Sequence, residues 1–295
     1  MKVHAECYHC FISQATRTAR LFYADREHLL KPAMEVVKVL QDIDVNLPPP
    51  IISEKVYGTI RETLGIDDPY KEIKRKYNDI ALKYENFAKK EIETSENPLL
   101  FAIRLALAGN IIDFGSEVGT INLEKTIDDV VHNPLDLTDF SLFEKNLKNA
   151  KNIVLLADNA GEIVFDRILL ETINKLYPDK KLYVIVRGGP IINDVTKEDA
   201  IYVGMDKVAK VVDSGEIIPG FWPDMAKPEC RKVYDEADII ISKGQGNFET
   251  LSEFEDSRVY FLFLVKCGVV ASYLGLKKFS KIFIRNDSRW EKLRV

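Results

Sequence analysis

The chain of 295 residues reads as an α/β protein, with a Rossmann-like C-terminal domain built on a largely parallel sheet and an all-helical N-terminal domain before it. Three observations predict this. Up to about residue 145, apolar residues recur three and four apart and never alternate with period two for long. After Lys148, short β-branched runs appear at intervals wide enough to hold a helix between them. Several of those runs end in polar or glycine-rich sequence, as strands do at the ligand-binding edge of an open parallel sheet. The expected division is residues 1–147 and residues 148–295, since the length exceeds that of one ordinary core.

In the first half, Phe11, Ala15, Ala19 and Phe22 share one helical face. Helix is therefore expected from Ala5 to about Leu40, with a break at Pro32. Pro48-Pro49-Pro50 ends that region, and Asp67-Asp68-Pro69 opens a helix running to about Glu91. Asn97-Pro98 opens another, Leu99 to Ala108. In the second half the expected strands are Asn152 to Ala157, Leu182 to Val186, Lys210 to Val212, Asp238 to Ser242, Arg258 to Phe263 and Lys281 to Ile284. They are continuous apolar runs with helical segments such as Glu162 to Leu176 between them, the pattern of a sheet covered on both faces.

Composition narrows the function. With 46% hydrophobic and 29% charged residues the chain can bury a core, which excludes a disordered protein. Its 41 basic and 46 acidic residues leave a net charge of −5, so no global field draws it to nucleic acid or an anionic membrane, and any phosphate site must be local. There is no leader pattern, and Lys266 breaks the longest apolar run, Val259 to Val270. A cytoplasmic protein without nucleic-acid or membrane partners is expected; the sequence does not indicate an oligomeric state.

The strand ends carry Asp158-Asn159-Ala160-Gly161-Glu162, Arg187-Gly188-Gly189-Pro190, Asp213-Ser214-Gly215 and Lys243-Gly244-Gln245-Gly246-Asn247-Phe248-Glu249. At one rim of a parallel sheet they would converge. Asp158, Asn159 and Asp194 are hard oxygen ligands suited to Mg, Mn or Ca rather than to a thiolate zinc site. Gly161 and Glu162 stand at a helix start, where free N–H groups attract an anion such as phosphate. Arg187, Lys243 and Lys266 add cationic donors for phosphoryl oxygens. The same residues also fit plainer readings: Asp158-Asn159 and Asn193-Asp194 as Asx-turns or helix caps, and Lys266 as an edge residue that snorkels. Gly244-x-Gly246 is only a fragment of a dinucleotide fingerprint. Cys7-x-x-Cys10 would sit one turn apart on a helix, as two small buried residues, half of a metal site, or a redox pair.

Taken with Gln14, the segment Ala108 to Gly115, the run Arg187 to Thr196, and Lys266-Cys267, the order and spacing of these blocks resemble the damage-control phosphatase family, in its prokaryotic branch. The resemblance spans nearly the whole chain. It implies a helical region packed on a Rossmann-like domain, and a divalent cation (Mg, Mn, Co or Ni) as cofactor, held at the positions of Asp158, Asn159 and Asp194. It also implies a phosphate-contacting lysine at Lys266 and a substrate-side loop containing Asn247. The implied activity is hydrolysis of phosphomonoesters of small metabolites, such as sugar phosphates or damaged cofactor precursors like oxidised phosphopantetheine. Asp158, Asn159, Asp194 and Lys266 are then the catalytic group, and either water or Asp158 attacks the phosphorus. The alternative is a non-catalytic nucleotide- or metabolite-binding module that cradles a phosphate on its glycines.

Overall fold

The computed structural model describes residues 1–111, 131 and 133–287. Six helices open the chain: α1 (Ala5–Ala19), α2 (Arg26–Leu40), α3 (Pro49–Leu64), α4 (Lys71–Lys83), α5 (Glu85–Thr94) and α6 (Pro98–Ile111). The remainder of the Ala108 to Gly115 block, from Ile112 on, lies outside the described residues. Pro32 lies inside α2 and breaks nothing; the interruption falls between α1 and α2, where the Asp25 side chain caps α2 by accepting from the His28 amide. A buried Pro32 is held by the packing of that helix with Ala33 and Val36, which outweighs one missing backbone bond.

The second half alternates strand and helix: β1 (Leu137–Thr138), α7 (Phe140–Asn149), β2 (Asn152–Leu156), α8 (Glu162–Leu176), β3 (Lys181–Val186), α9 (Lys197–Tyr202) and β4 (Lys210–Asp213). It continues with α10 (Pro228–Asp235), β5 (Ile239–Lys243), α11 (Gly244–Leu251), β6 (Val259–Leu264), α12 (Gly268–Leu274) and β7 (Lys281–Arg285). The strands form one sheet in the order β1-β7-β6-β5-β2-β3-β4. All neighbours are parallel except β6 and β7.

Two-residue β1 was not expected, because a pair of residues is too short to show alternation. It adds an edge to β7, so the sheet recruits chain from before residue 148. The expected division at 147/148 falls inside α7, whose Phe143 ring meets Tyr260 and Phe283 edge-on, each with centroids 5.1 Å away. One buried cluster joins α6 (Leu99 to Ala108) and α8 to the sheet face bearing Ile153, Leu155, Ile239 and Ile241. The opposite face, with Val154, Leu156 and Ile240, is covered by Cys230, Phe248 and Val270 from α10, α11 and α12. Helices α1, α2 and α3 form a third cluster that reaches the sheet through Ile191 and Ile217 in its loops. Among the described residues, no helix is long and apolar enough to cross a membrane.

Candidate active site

From β2 the sheet grows one way through β3 and β4, and from β5 the other way through β6. The carboxyl ends of β2 and β5 therefore flank the point where the winding reverses, which is where a doubly wound sheet opens a crevice. Asp158 follows β2 there, and Gly244 begins α11 directly after β5. They meet so closely that a Cβ on Gly244 would stand 2.1 Å from the Asp158 Oδ2 and Cγ atoms. With φ at +78°, Gly244 also occupies backbone space that other residues enter at a cost.

The segment carrying Asp194 pairs with the one carrying Asp158. Val195 N–H donates to Asp158 O (2.8 Å), Ala160 N–H donates to Asn193 O (2.9 Å), and Asn159 and Asp194 form an antiparallel bridge. Ile192, just before this turn, has a φ of +44°, strained for a β-branched residue. Arg187 stands between the two carboxylates. Its Nε donates to Asp194 Oδ2 at 2.7 Å and its Nη2 lies 3.8 Å from Asp158 Oδ1. Asn159 Nδ2 donates to Asp158 Oδ2 at 2.7 Å and, more weakly, to Glu162 Oε2 at 3.3 Å. Asp158, Asn159 and Asp194 are thus brought to one place.

Burial, then the like charges of Glu162 and Asp194, push the Asp158 carboxyl well above its ordinary range, against the pull of Lys266 and Arg187. Burial likewise raises Asp194, against Arg187. Crowded, desolvated carboxylates of this kind are stabilised by an added cation. The donor chemistry also fits one. Among the described residues no trio of His, Cys, Asp and Glu is placed to hold a metal, so a cation beside Asp158 and Asp194 would need an amide oxygen as its third protein ligand. The Asn159 nitrogen is committed to two carboxylates, which turns its carbonyl oxygen away from them as a hard ligand atom.

Lys266 keeps its place beside this group: its charge acts on Asp158, and its backbone N–H donates to Gln245 Oε1 (2.9 Å) in the first turn of α11. The five other expected phosphate contacts spend most of their polar atoms inside the protein. Lys243 is fully buried, and its three donors go to Glu162 Oε1 (2.5 Å), Asp166 Oδ1 (2.6 Å) and Ala106 O (2.8 Å), which leaves none for a ligand. Glu162 is equally buried as its ion-pair partner. Asn247 lies in the interior, donating to Ala157 O and Lys243 O and accepting from Arg187 Nη1 at 3.1 Å. The Gly161 amide donates to Asn78 Oδ1 at 2.7 Å. Arg187 also gives Nη1 to Gly220 O, and only its Nη2 lacks a hydrogen-bond partner.

Asn78 and Lys74, both on α4, were not anticipated. Lys74, buried, pairs with Asp68 (3.0 Å) and Asp199 (2.9 Å), and Asp199 accepts from the Thr196 amide and hydroxyl just after Asp194. The signal was available: Lys74 and Asn78 share the buried stripe of α4 with Tyr77 and Ala81, and polar groups on such a stripe need partners. Cys7 and Cys10 lie on α1, the first half-buried and the second exposed, so they are not the pair of buried small residues that was one expected reading; partial burial raises the Cys7 thiol to about 11, the reverse of a reactive thiolate.

Comparisons with known proteins place the chain in a family. A family model described as damage-control phosphatase ARMT1-like domain matches residues 3–282. The chain is 34% identical to a damage-control phosphatase of Pyrococcus horikoshii over 287 residues, covering 97% of this chain and 99% of the relative. It is 32% identical to a damage-control phosphatase of Archaeoglobus fulgidus, covering 94% of this chain and 96% of the relative. The crystal structure of a DUF89 family protein from Pyrococcus horikoshii matches with a TM-score of 0.89 at 33% identity, covering 97% of this chain and all (100%) of that one. By model, relatives and structure together, the chain belongs to the damage-control phosphatase family with the ARMT1-like domain.

Proposed function

We propose that the protein is a metal-dependent phosphomonoesterase acting on small phosphorylated metabolites, with sugar phosphates and damaged cofactor precursors as the substrate classes. The observation that carries this is the convergence of two carboxylates and an amide around one guanidinium at the sheet's switch point. Asp158, Asn159 and Asp194 would hold the divalent ion, Mg, Mn, Co or Ni. Such an ion, when bound, supplies Lewis-acid polarisation of a phosphoryl oxygen and lowers the pKa of water.

The chain's own groups do the rest. Arg187 fixes Asp194 from behind, so the carboxylate is aimed before any ligand arrives. The first turn of α11 begins at the crevice, and its N-cap makes no side-chain hydrogen bond, so its amides suit phosphoryl oxygens. Lys266, held beside that turn, would balance the charge that develops on those oxygens. In this reading Asp158, closely flanked by Gly244 and Asn159, holds the cation and water is the attacking group; the enclosure supports that role for Asp158.

The test is hydrolysis of p-nitrophenyl phosphate and a panel of sugar phosphates with Mg, Mn, Co or Ni. Folded protein that shows no metal-dependent turnover on any of them rejects the reading. Asp158→Asn and Asp194→Asn should each remove turnover while far-UV circular dichroism stays native. Asn is preferred to Ala at 194 because its amide oxygen still accepts from Arg187 Nε, whereas truncation would leave that buried donor unmatched, a loss of about 1–3 kcal/mol.

A further inference from the structure

Behind the proposed cation site lies a second, fully buried charge cluster. Lys243 Nζ is held between Glu162 Oε1 and Asp166 Oδ1, with Ala106 O of α6 as its third acceptor. The other oxygen of Glu162 reaches Asn159 Nδ2. Two chains of contact leave this one residue. Through its side chain Lys243 fixes Glu162, and Glu162 fixes the Asn159 amide. Through its carbonyl oxygen it accepts from Asn247, whose Oδ1 accepts from Arg187, which holds Asp194.

We propose that Glu162 and Lys243 are positioning residues that lock the Asn159 amide in one of its two orientations, with the carbonyl oxygen presented to the cation. The inference rests on the metal reading above and assigns residues behind the ligands. An amide has two nearly isosteric ends, and only one is a ligand atom. Asp158 Oδ2 already favours the nitrogen end, and Glu162 adds a second acceptor on the same side. Lys243 makes that second acceptor unambiguous. Its ammonium claims Glu162 Oε1, so whatever occupies the other end of the side chain at 162 faces Asn159. With Glu that end is an acceptor. In Glu162→Gln the new amide must turn its oxygen to Lys243, and its nitrogen then confronts Asn159 Nδ2, donor against donor. Turning Asn159 over would only exchange this conflict for one with Asp158 Oδ2, acceptor against acceptor, so the amide is left between a partner that attracts its nitrogen and one that repels it and no longer holds its oxygen on the cation.

The experiment titrates Mn into the full chain and follows the loss of the free-ion electron paramagnetic resonance signal, well below the unfolding temperature. Glu162→Gln should weaken Mn binding about 10–100-fold. Asp166→Asn perturbs the same lysine without touching Asn159, and should stay within about twofold of the unchanged protein. In an Asn159→Asp background either oxygen can face the cation, so adding Glu162→Gln should cost less than about twofold. Should Glu162→Gln fail to fold, Glu162→Asp withdraws the carboxylate from Asn159 and reads the same loss. Equal losses in Glu162→Gln and Asp166→Asn, or a full penalty retained in the Asn159→Asp background, overturn the proposal. No Mn binding by the unchanged protein, or binding indifferent to Asp158→Asn, overturns instead the metal reading beneath it.

Discussion

A Cβ built on Gly244 would meet the Asp158 carboxyl at 2.1 Å, and one on Gly246 would meet Pro219 O at 1.8 Å. Pro219 O is backbone and yields only if the chain moves, whereas the Asp158 carboxyl is a buried side-chain end held by Asn159 and would have to leave its place. At Gly244 the clash adds to the strain of a positive φ. Gly244→Ala is therefore expected to cost about 1–3 kcal/mol of stability. It should also displace Asp158, and so abolish the thermal stabilisation by Mn that the proposed cation site predicts for the unchanged protein. Differential scanning fluorimetry with and without Mn checks both; a variant that keeps the full Mn shift would remove Gly244 from the site. The sequence displayed this glycine next to Lys243 but could not say which of the two faced the ligand. Strand parity settles it. Residues 239, 241 and 243 point to the face covered by α6 and α8, so Lys243 enters the interior beside Ile239 and Ile241.

At the scale of elements, α4 connects the two halves of the site. Its Asn78 accepts from the Gly161 amide, at the turn that carries Asp158 and Asn159, while its Lys74 reaches Asp199, which caps the turn after Asp194. Asn78→Ala leaves a buried N–H unmatched, a loss of roughly 1–3 kcal/mol. It should reduce kcat more than KM, because it disturbs the turn proposed to hold the cation rather than a substrate contact; steady-state kinetics on p-nitrophenyl phosphate checks this, and a change in KM alone would contradict it. The strands were legible from sequence because buried parallel strands are unbroken apolar runs, and β2 through β7 lie within a residue or two of expectation. Pro32 and β1 were not legible, the first because tertiary packing overrides a local signal, the second because two residues carry no period. The inventory of Asp158, Asn159 and Asp194 was readable, whereas the partners of Lys243 and Asn247 were not, since they depend on which helices cover which face.

Over the whole molecule, folding raises the proton affinity of several carboxyls. Burial pushes Glu216 to about 8, against the Trp222 amide and Arg187, and pushes Glu249 to about 7, against Gln245. Both exceed the ordinary value of 4.5, so the folded chain binds protons more tightly than the unfolded one. The sign follows by linkage: such a group contributes stability that is fully present below its unfolded pKa and is lost as pH rises through its folded pKa. For Glu216 the window runs from 4.5 to about 8, and stability falls with rising pH inside it. Each such group contributes a slope of about 1.4 kcal/mol per pH unit where the two states differ by one proton. Glu216→Gln keeps an acceptor for the Trp222 amide, which lies 3.1 Å from Oε1, and removes the titration. Urea unfolding at a series of pH values from about 5.5 to 8 should therefore show the unchanged protein losing stability toward the alkaline end. In Glu216→Gln that slope should be shallower by about one proton, with the gain in stability largest at the alkaline end. Parallel curves for the two proteins would mean that Glu216 is already ionised in the folded chain, with its charge balanced by Arg187.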